Sequence, residues 1–232
     1  MSTLSIDGIS KQYFGRPVLS DVRFEARAGE MLGLIGPNGS GKTTVLECLA
    51  GLIPCDGAVR SGGSVVLPRD RKRVLYYMPD GIVPWPAQSV RWTLRFFEEL
   101  YERPGGEGER IAGALGLGAL LQSHAGTLSK GERKRLLLAL GLLTPQPALL
   151  LDEPFDGLDL RQTRDATEVL RIHAAKGRSM LLSIHQLNDA ARICDRLALL
   201  SAGRIVGVGG LEELRQQSGV SGGVEEIFLA LT

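Results

Sequence analysis

The chain has 232 residues, with 27 Lys+Arg against 26 Asp+Glu and a formal net charge of +1. That length suits one large domain or two joined lobes with a buried core, and the near balance of charge supplies no electrostatic footprint for nucleic acid or an anionic membrane surface. Cys48, Cys55 and Cys194 form no C-x-x-C pair and have no clustered histidines beside them, which argues against a disulfide framework or a zinc site and fits a reducing compartment.

The opening reads as short strands over 4–9, 22–26 and 31–35, the last a wholly apolar run apart from its glycine. A glycine-rich turn over 36–41 follows, then a helix starting near Lys42 that carries Val45, Leu46, Leu49 and Ala50 on one face, with Gly51 near its end. Cys48 falls inside that apolar pattern and reads as a small buried hydrophobe. Extended segments are expected over 64–67 and 74–78, separated by the basic cluster 69–73, which reads as a solvated turn. From about 84 to 147 the pattern turns to successive helices, over 90–101, 109–115 and 130–143, with a glycine-rich loop over 104–108. Alternation then returns as strand 148–151, helix 161–175, strand 179–184, helix 187–193 and strand 197–200. Strands separated by helices of this length imply parallel pairing through crossover helices, so an α/β core interrupted by a helical insert is expected.

Residues 1–7 lack the basic and apolar regions of a signal peptide. Two stretches are free of Asp, Glu, Lys and Arg for long enough to be checked as spans. The first, 111–129, is rich in glycine and contains Gln122 and His124; the second, 136–151, is short and broken by Pro145 and Pro147. Neither suits a span of roughly 20 apolar residues, so no membrane anchor is expected.

Gly36, Pro37, Asn38, Gly39, Ser40, Gly41, Lys42 and Thr43 match G-x-x-x-x-G-K-[ST] without deviation. Glycines let backbone N–H groups turn inward around an oligophosphate where a Cβ would obstruct them, and the following helix presents its free N–H groups and positive dipole end to the same anion. Lys42 is placed to reach the β- and γ-phosphates, Thr43 to ligate Mg²⁺, and Thr44 lies beside them in the first helical turn. The apolar strand Leu149–Leu150–Leu151 ends in Asp152 and Glu153, at the carboxyl edge where open α/β sheets bind ligands. With a phosphate loop in the same chain, Asp152 becomes a candidate for the Mg²⁺ environment. Glu153 becomes the candidate that orients or deprotonates an attacking water.

The segment Leu128–Ser129–Lys130–Gly131–Glu132 resembles the LSGGQ signature of the ATP-binding cassette (ABC) family, opening a helix shortly before Asp152 and Glu153. Its residues also read as a plain Ser N-cap with an acid three positions on, and both readings can hold together. Tyr13 resembles the family's adenine-stacking aromatic, Gly157–Leu158–Asp159 its D-loop, His185 its switch histidine, and Met78–Pro79–Asp80 its Q-loop. Two positions depart from the pattern: Asp80 stands where glutamine is usual, and Lys130 replaces the signature's first glycine. A similar spacing at 220–224 falls in the C-terminal tail and is set aside, while His124 and His173 read as surface or satisfied histidines.

The resemblance implies a P-loop NTPase core with an N-terminal antiparallel β region and an inserted helical subdomain. On this reading one ABC ATPase domain covers 1–232, with a nucleotide-binding core over 1–83 and 148–232 and a helical part over about 84–147. It further implies ATP and Mg²⁺ as cofactors, with Asp80 joining Thr43 and Asp152 near the metal. Ser129 and Gly131 would meet the γ-phosphate bound by an opposite subunit, and Asp159 would link the two sites. The implied partners are a separate transmembrane permease, docked beside the Asp80 loop near Trp85 and Trp92, and a second ABC ATPase subunit, a homodimer being the expectation. No nucleic-acid partner is expected. The implied location is cytoplasmic, peripheral on the inner face of the cell membrane. The tail over 224–231, the Asp80 segment and the signature variant resemble exporter-type cassettes. The competing reading is a soluble ABC ATPase of DNA repair, chromosome structure or translation, whose members usually carry long coiled coils or paired cassettes.

Overall fold

The computed structural model describes residues 3–232. Its chain divides into two compact units: Met1–Tyr77 with Gln146–Asp152 and Ala174–Thr232, and Met78–Pro145 with Glu153–His173. The second unit therefore takes in residues from both sides of the expected helical insert.

The first unit begins with β1 (Leu4–Tyr13) and β2 (Arg16–Ala26), joined as an antiparallel hairpin. With β4 (Asp56–Ser61) and β5 (Ser64–Val65) they form an antiparallel sheet of order β2-β1-β4-β5. Leu4, Ile6 and Ile9 on β1 and Val22, Phe24 and Ala26 on β2 are buried and belong to the hydrophobic core, the one-sided pattern of a sheet solvated on its other face. The second sheet is built on β3 (Met31–Ile35), β7 (Ala148–Asp152) and β8 (Ser179–Ile184), in which every residue is buried. Strands covered on both faces have no need to alternate, which is why these read as largely apolar runs. β3 pairs in parallel with β8 and with β9 (Arg196–Ser201), and β7 pairs in parallel with β8. The full order is β10-β9-β3-β8-β7-β6, with β6 at Leu75–Met78 and an antiparallel edge strand β10 at Arg204–Gly209.

Helix α1 (Lys42–Ala50) follows β3 and stops at Gly51, whose φ of 75° is the left-handed C-terminal cap that a Cβ would strain. Just beyond lies the short helix α2 (Arg71–Val74), and here the expected solvated turn needs correction. Arg71 is buried, donating to the Cys48 and Val66 carbonyls, so it satisfies and neutralises the C-terminal end of α1. Its neighbours Lys72 and Arg73 are exposed, as expected of a turn.

The second unit contains α3 (Val90–Leu100), α4 (Glu107–Ala114), α5 (Lys130–Leu143) and nearly all of α6 (Leu160–Ala174). Ser89 caps α3 by accepting from the Trp92 amide, and Val90, Thr93, Leu94, Phe97 and Glu98 are buried at helical spacing. α5 is buried along nearly its whole length, the mark of a central helix. Arg103 donates to the Leu143 and Thr144 carbonyls at 2.7 and 2.9 Å, closing the end of α5, and Arg135 donates to the Leu115 carbonyl at 2.9 Å, closing α4. The chain ends with α7 (Leu187–Ile193), α8 (Leu211–Ser218) and α9 (Val224–Leu231). Among the described residues no helix is long and apolar enough to cross a membrane.

Candidate nucleotide site

In the first unit the loop between β3 and α1 is shaped by close approaches. A Cβ on Gly36 would lie 2.1 Å from the Leu200 carbonyl oxygen, and one on Gly41 would lie 2.8 Å from Leu19 Cδ2. Gly39 and Gly41 hold φ values of 79° and 106°, left-handed backbone that turns the loop back on itself. The Lys42 ammonium is buried and donates to the Gly36 and Pro37 carbonyls at 2.7 and 3.2 Å, so it curls over the loop. α1 has no side-chain cap and no acid in its first turn, which leaves its N-terminal N–H groups facing the loop with their positive dipole end. Ser40 Oγ is buried with no protein hydrogen-bond partner, a polar atom suited to a ligand within the cradle.

Asp152 ends β7 and is almost wholly buried. It accepts from Thr43 Oγ1 at 3.1 Å, from Ser183 Oγ at 2.5 Å and from Tyr77 OH at 3.4 Å. Thr43 and Asp152 thus converge although far apart in sequence, and their all-oxygen donor set fits a hard divalent cation. Ser183 and Tyr77 orient the carboxylate. Sequence reasoning missed both, since a serine on an apolar strand and a tyrosine on another carry no motif. His185 is exposed just after β8, and Thr44 is half-buried in the first turn of α1. Tyr13 closes β1, is 40% exposed, and has Lys11 Nζ 4.8 Å from its ring centroid, so its face is already attractive to a cation.

The second unit holds the remaining predicted residues. Ser129 caps α5 in a capping box with Glu132, so the local reading is correct, and the serine side chain stands at a helix N-terminus. Hydrogen bonds from Ser129 hold the Glu132 carboxyl below the usual glutamate range. Gly131 is obligatory: a Cβ there would lie 2.4 Å from the Gly157 carbonyl oxygen. Asp159 accepts from the Gln162 amide at 2.8 Å, capping α6. Glu153 has a φ of 46°, a left-handed conformation that costs a non-glycine residue about 1–3 kcal/mol and tends to mark functional positions. Asp80 is ion-paired to the buried Lys134 at 2.7 Å. Burial opposes the charge on Asp80, but the hydrogen bond and charge of Lys134, with the Gly81 amide and Lys130, hold its carboxyl below the ordinary range. Lys134 was missed because nothing in the sequence links it to a loop on the far side of α3 and α4.

A glycine-lined loop between a buried parallel strand and an uncapped helix, with a carboxylate from a second buried strand meeting its threonine, defines a P-loop nucleotide-binding α/β protein. The family model described as ABC transporter matches residues 19–156. The Nod factor export ATP-binding protein I of Rhizobium johnstonii is 34% identical over 221 residues, covering 90% of this chain and 70% of that protein. The protein of the same name from Ralstonia nicotianae is 34% identical over 224 residues, covering 91% and 68%. A solved structure of an ATP-binding subunit of an ABC transporter superposes with a TM-score of 0.88 at 31% identity, over 98% of each chain. A bacterial Atm1-family ABC exporter with ATP bound shares the fold at a TM-score of 0.84 and 22% identity, over 98% of this chain and 41% of that one. The chain belongs to the ABC transporter family, as an ATP-binding subunit that hydrolyses ATP.

Proposed function

We propose that this chain powers export through separate membrane subunits, working as one ABC ATPase domain in a pair of cassettes at the inner face of the cell membrane. The observation that carries the coupling role is an exposed aromatic patch. Trp85, Trp92 and Phe96 are 42%, 41% and 36% exposed, with ring centroids 5.0 Å apart for Trp85–Phe96 and 5.4 Å for Trp92–Phe96. Rigid aromatics left half in solvent are what a protein partner buries. In a transporter-family chain with no crossing helix among its described residues, a membrane permease is the partner of choice. Export is favoured by the names of the relatives, which also weigh against a role in DNA repair or translation.

At the nucleotide, the backbone of 36–41 and Lys42 hold the phosphates, and Tyr13 stacks on the base. Thr43 and Asp152 hold Mg²⁺, which when bound offsets charge on the β- and γ-phosphate oxygens. Glu153 aligns the attacking water and takes its proton, while His185 contacts the γ-phosphate. Ser129 and the Gly131 backbone at the start of α5 meet the γ-phosphate held by a second copy, with Asp159 linking the two sites. Asp80 remains a candidate for the metal environment beside Thr43 and Asp152, with its carboxylate ion-paired to Lys134.

The test is affinity purification from detergent-solubilised native membranes, comparing wild type with a Trp85→Ala, Trp92→Ala double variant. We expect wild type alone to retain a polytopic membrane protein whose presence raises ATP turnover. Equal recovery with both proteins would remove the patch from the interface, and recovery of nucleic acid or ribosomes instead would overturn the transport reading.

A further inference from the structure

The start of α5 lies against the turn that leads into α6. A Cβ on Gly131 would lie 2.4 Å from the Gly157 carbonyl oxygen, and one on Gly157 would lie 3.2 and 3.3 Å from Lys130 Cγ and Cδ. The two backbones thus approach as closely as glycines permit, and the lysine stem is laid along Gly157. Beyond that stem the Lys130 ammonium is ion-paired with the Asp156 carboxylate, across side chains that are 55% and 28% exposed. The turn itself is tightly wound: the Asp156 amide donates to the Glu153 carbonyl at 3.2 Å, and the Leu158 amide to the Phe155 carbonyl at 3.0 Å. It ends at Asp159, which caps α6 by accepting from the Gln162 amide, as Ser129 caps α5. The hydrogen bond and charge of Asp156 hold the Lys130 ammonium above the usual lysine range, so the pair is fully ionised at neutral pH. An ion pair this exposed adds little to stability by itself. What it adds is a fixed relation between two capped helix starts.

Resting on the reading that a second copy completes the site, we infer that Lys130 is a positioning residue for the ATP-bound pair, clasping the start of α5 to the 153–159 turn through Asp156. Ser129 and Asp159, the two residues of this region assigned to the second copy's site, are then presented to it as one surface. The lysine stands where the signature's first glycine is usual, and a glycine there has no side chain with which to make the clasp. Its task is local: it sets the geometry of its own chain and does not touch the second copy's nucleotide. The close Gly131–Gly157 contact supplies the pivot, and the ion pair stops the two segments from turning about it.

The experiment measures the dissociation constant of the Mg-ATP dimer by sedimentation, in a Glu153→Gln parent that holds ATP without turnover. Lys130→Met, which keeps the apolar stem, is compared with Asp156→Ala, the double variant and Lys130→Arg, with ADP affinity and thermal melts alongside. Each neutral single variant should raise the dimer Kd about fivefold, with ADP affinity changed less than about twofold. The double variant should be no weaker than the weaker single to within about twofold, and Lys130→Arg, which keeps the charge pair, should match the parent. Should Asp156→Ala fail to fold, Asp156→Asn takes its place in the cycle. A weaker dimer from Lys130→Met but not from Asp156→Ala would mean that the lysine acts on the nucleotide directly, and would overturn the inference. Losses that multiply in the double variant, or a lowered melting temperature with an unchanged dimer Kd, would overturn it too. If the parent itself binds ATP and stays monomeric, the paired-site reading falls and takes the clasp with it. If the parent dimerises and every variant matches it, only the clasp falls.

Discussion

The phosphate-binding unit and the helical unit solve their packing problems differently. In the first, functional groups sit on strands buried on both faces or on the helix that follows one, and they are hydrogen-bonded to one another, as Thr43 and Ser183 are to Asp152. In the second, positions are set by caps, ion pairs and close glycine contacts, as with the exposed Ser129 and the buried Lys134 and Gly131. Trp85, Trp92 and Phe96 also face outward, while Phe97 is buried. A cradle for a small anion gains from rigidity, whereas a surface that must meet other chains needs exposed anchors and adjustable charges. On the proposed reading, ATP is held by the first unit, and partners are met by exposed side chains of the second.

That contrast can be broken most severely at Glu153. Replacing it by Gln should cut hydrolysis by about 10²–10⁴-fold while ATP still binds, measured by turnover beside equilibrium binding. Truncating the core of the first unit comes next in stability terms: Leu150→Ala, at a fully buried site on β7, should cost about 2–5 kcal/mol in denaturant unfolding. By comparison Trp92→Ala should cost less than about 1 kcal/mol, because its ring is 41% exposed, yet it should weaken binding to the membrane partner. Lys42→Ala should abolish the stabilisation of about 2.7 kcal/mol that Mg-ATP at 100 times its Kd gives to wild type, read as a melting shift. The smallest effect concerns pH. Glu132 is held below the ordinary glutamate range in the folded state, so its contribution is present above the unfolded pKa and fades as pH falls through the folded one. Glu132→Gln should therefore lower stability at pH 7 only slightly, solvent screening keeping the effect under about 1 kcal/mol, and leave little difference from wild type once pH has fallen below the folded-state pKa.

The same contrast explains what could be read before the fold was known. The strands at 31–35, 148–151 and 179–184 were legible because burial on both faces writes largely apolar runs, and the phosphate loop because its chemistry tolerates few substitutions. β4 was missed: Asp-Gly-Ala-Val-Arg-Ser has one fully buried residue and no clear alternation. β10 and α8 were also missed, the first an edge strand holding two glycines, the second a short helix with a single buried leucine. β1 runs on to Tyr13 because hairpin pairing with β2 carries polar residues that have no strand pattern of their own. In the helical unit the elements were visible, but their cross-links were not. A salt bridge between Asp80 and Lys134 joins residues whose local contexts say nothing of each other. Arg71 shows the same limit, since one buried arginine among exposed neighbours is marked by no pattern.

The central claim, an ATPase completed by a second copy of the chain, is tested most directly by the mass of the Glu153→Gln protein in solution with Mg-ATP. Light scattering should show a monomer without nucleotide or with ADP, and a dimer when ATP is added, the change being absent when Lys42→Ala is combined with it. A protein that binds ATP yet stays monomeric at every concentration, beside wild type whose specific activity does not vary with protein concentration, would contradict the account.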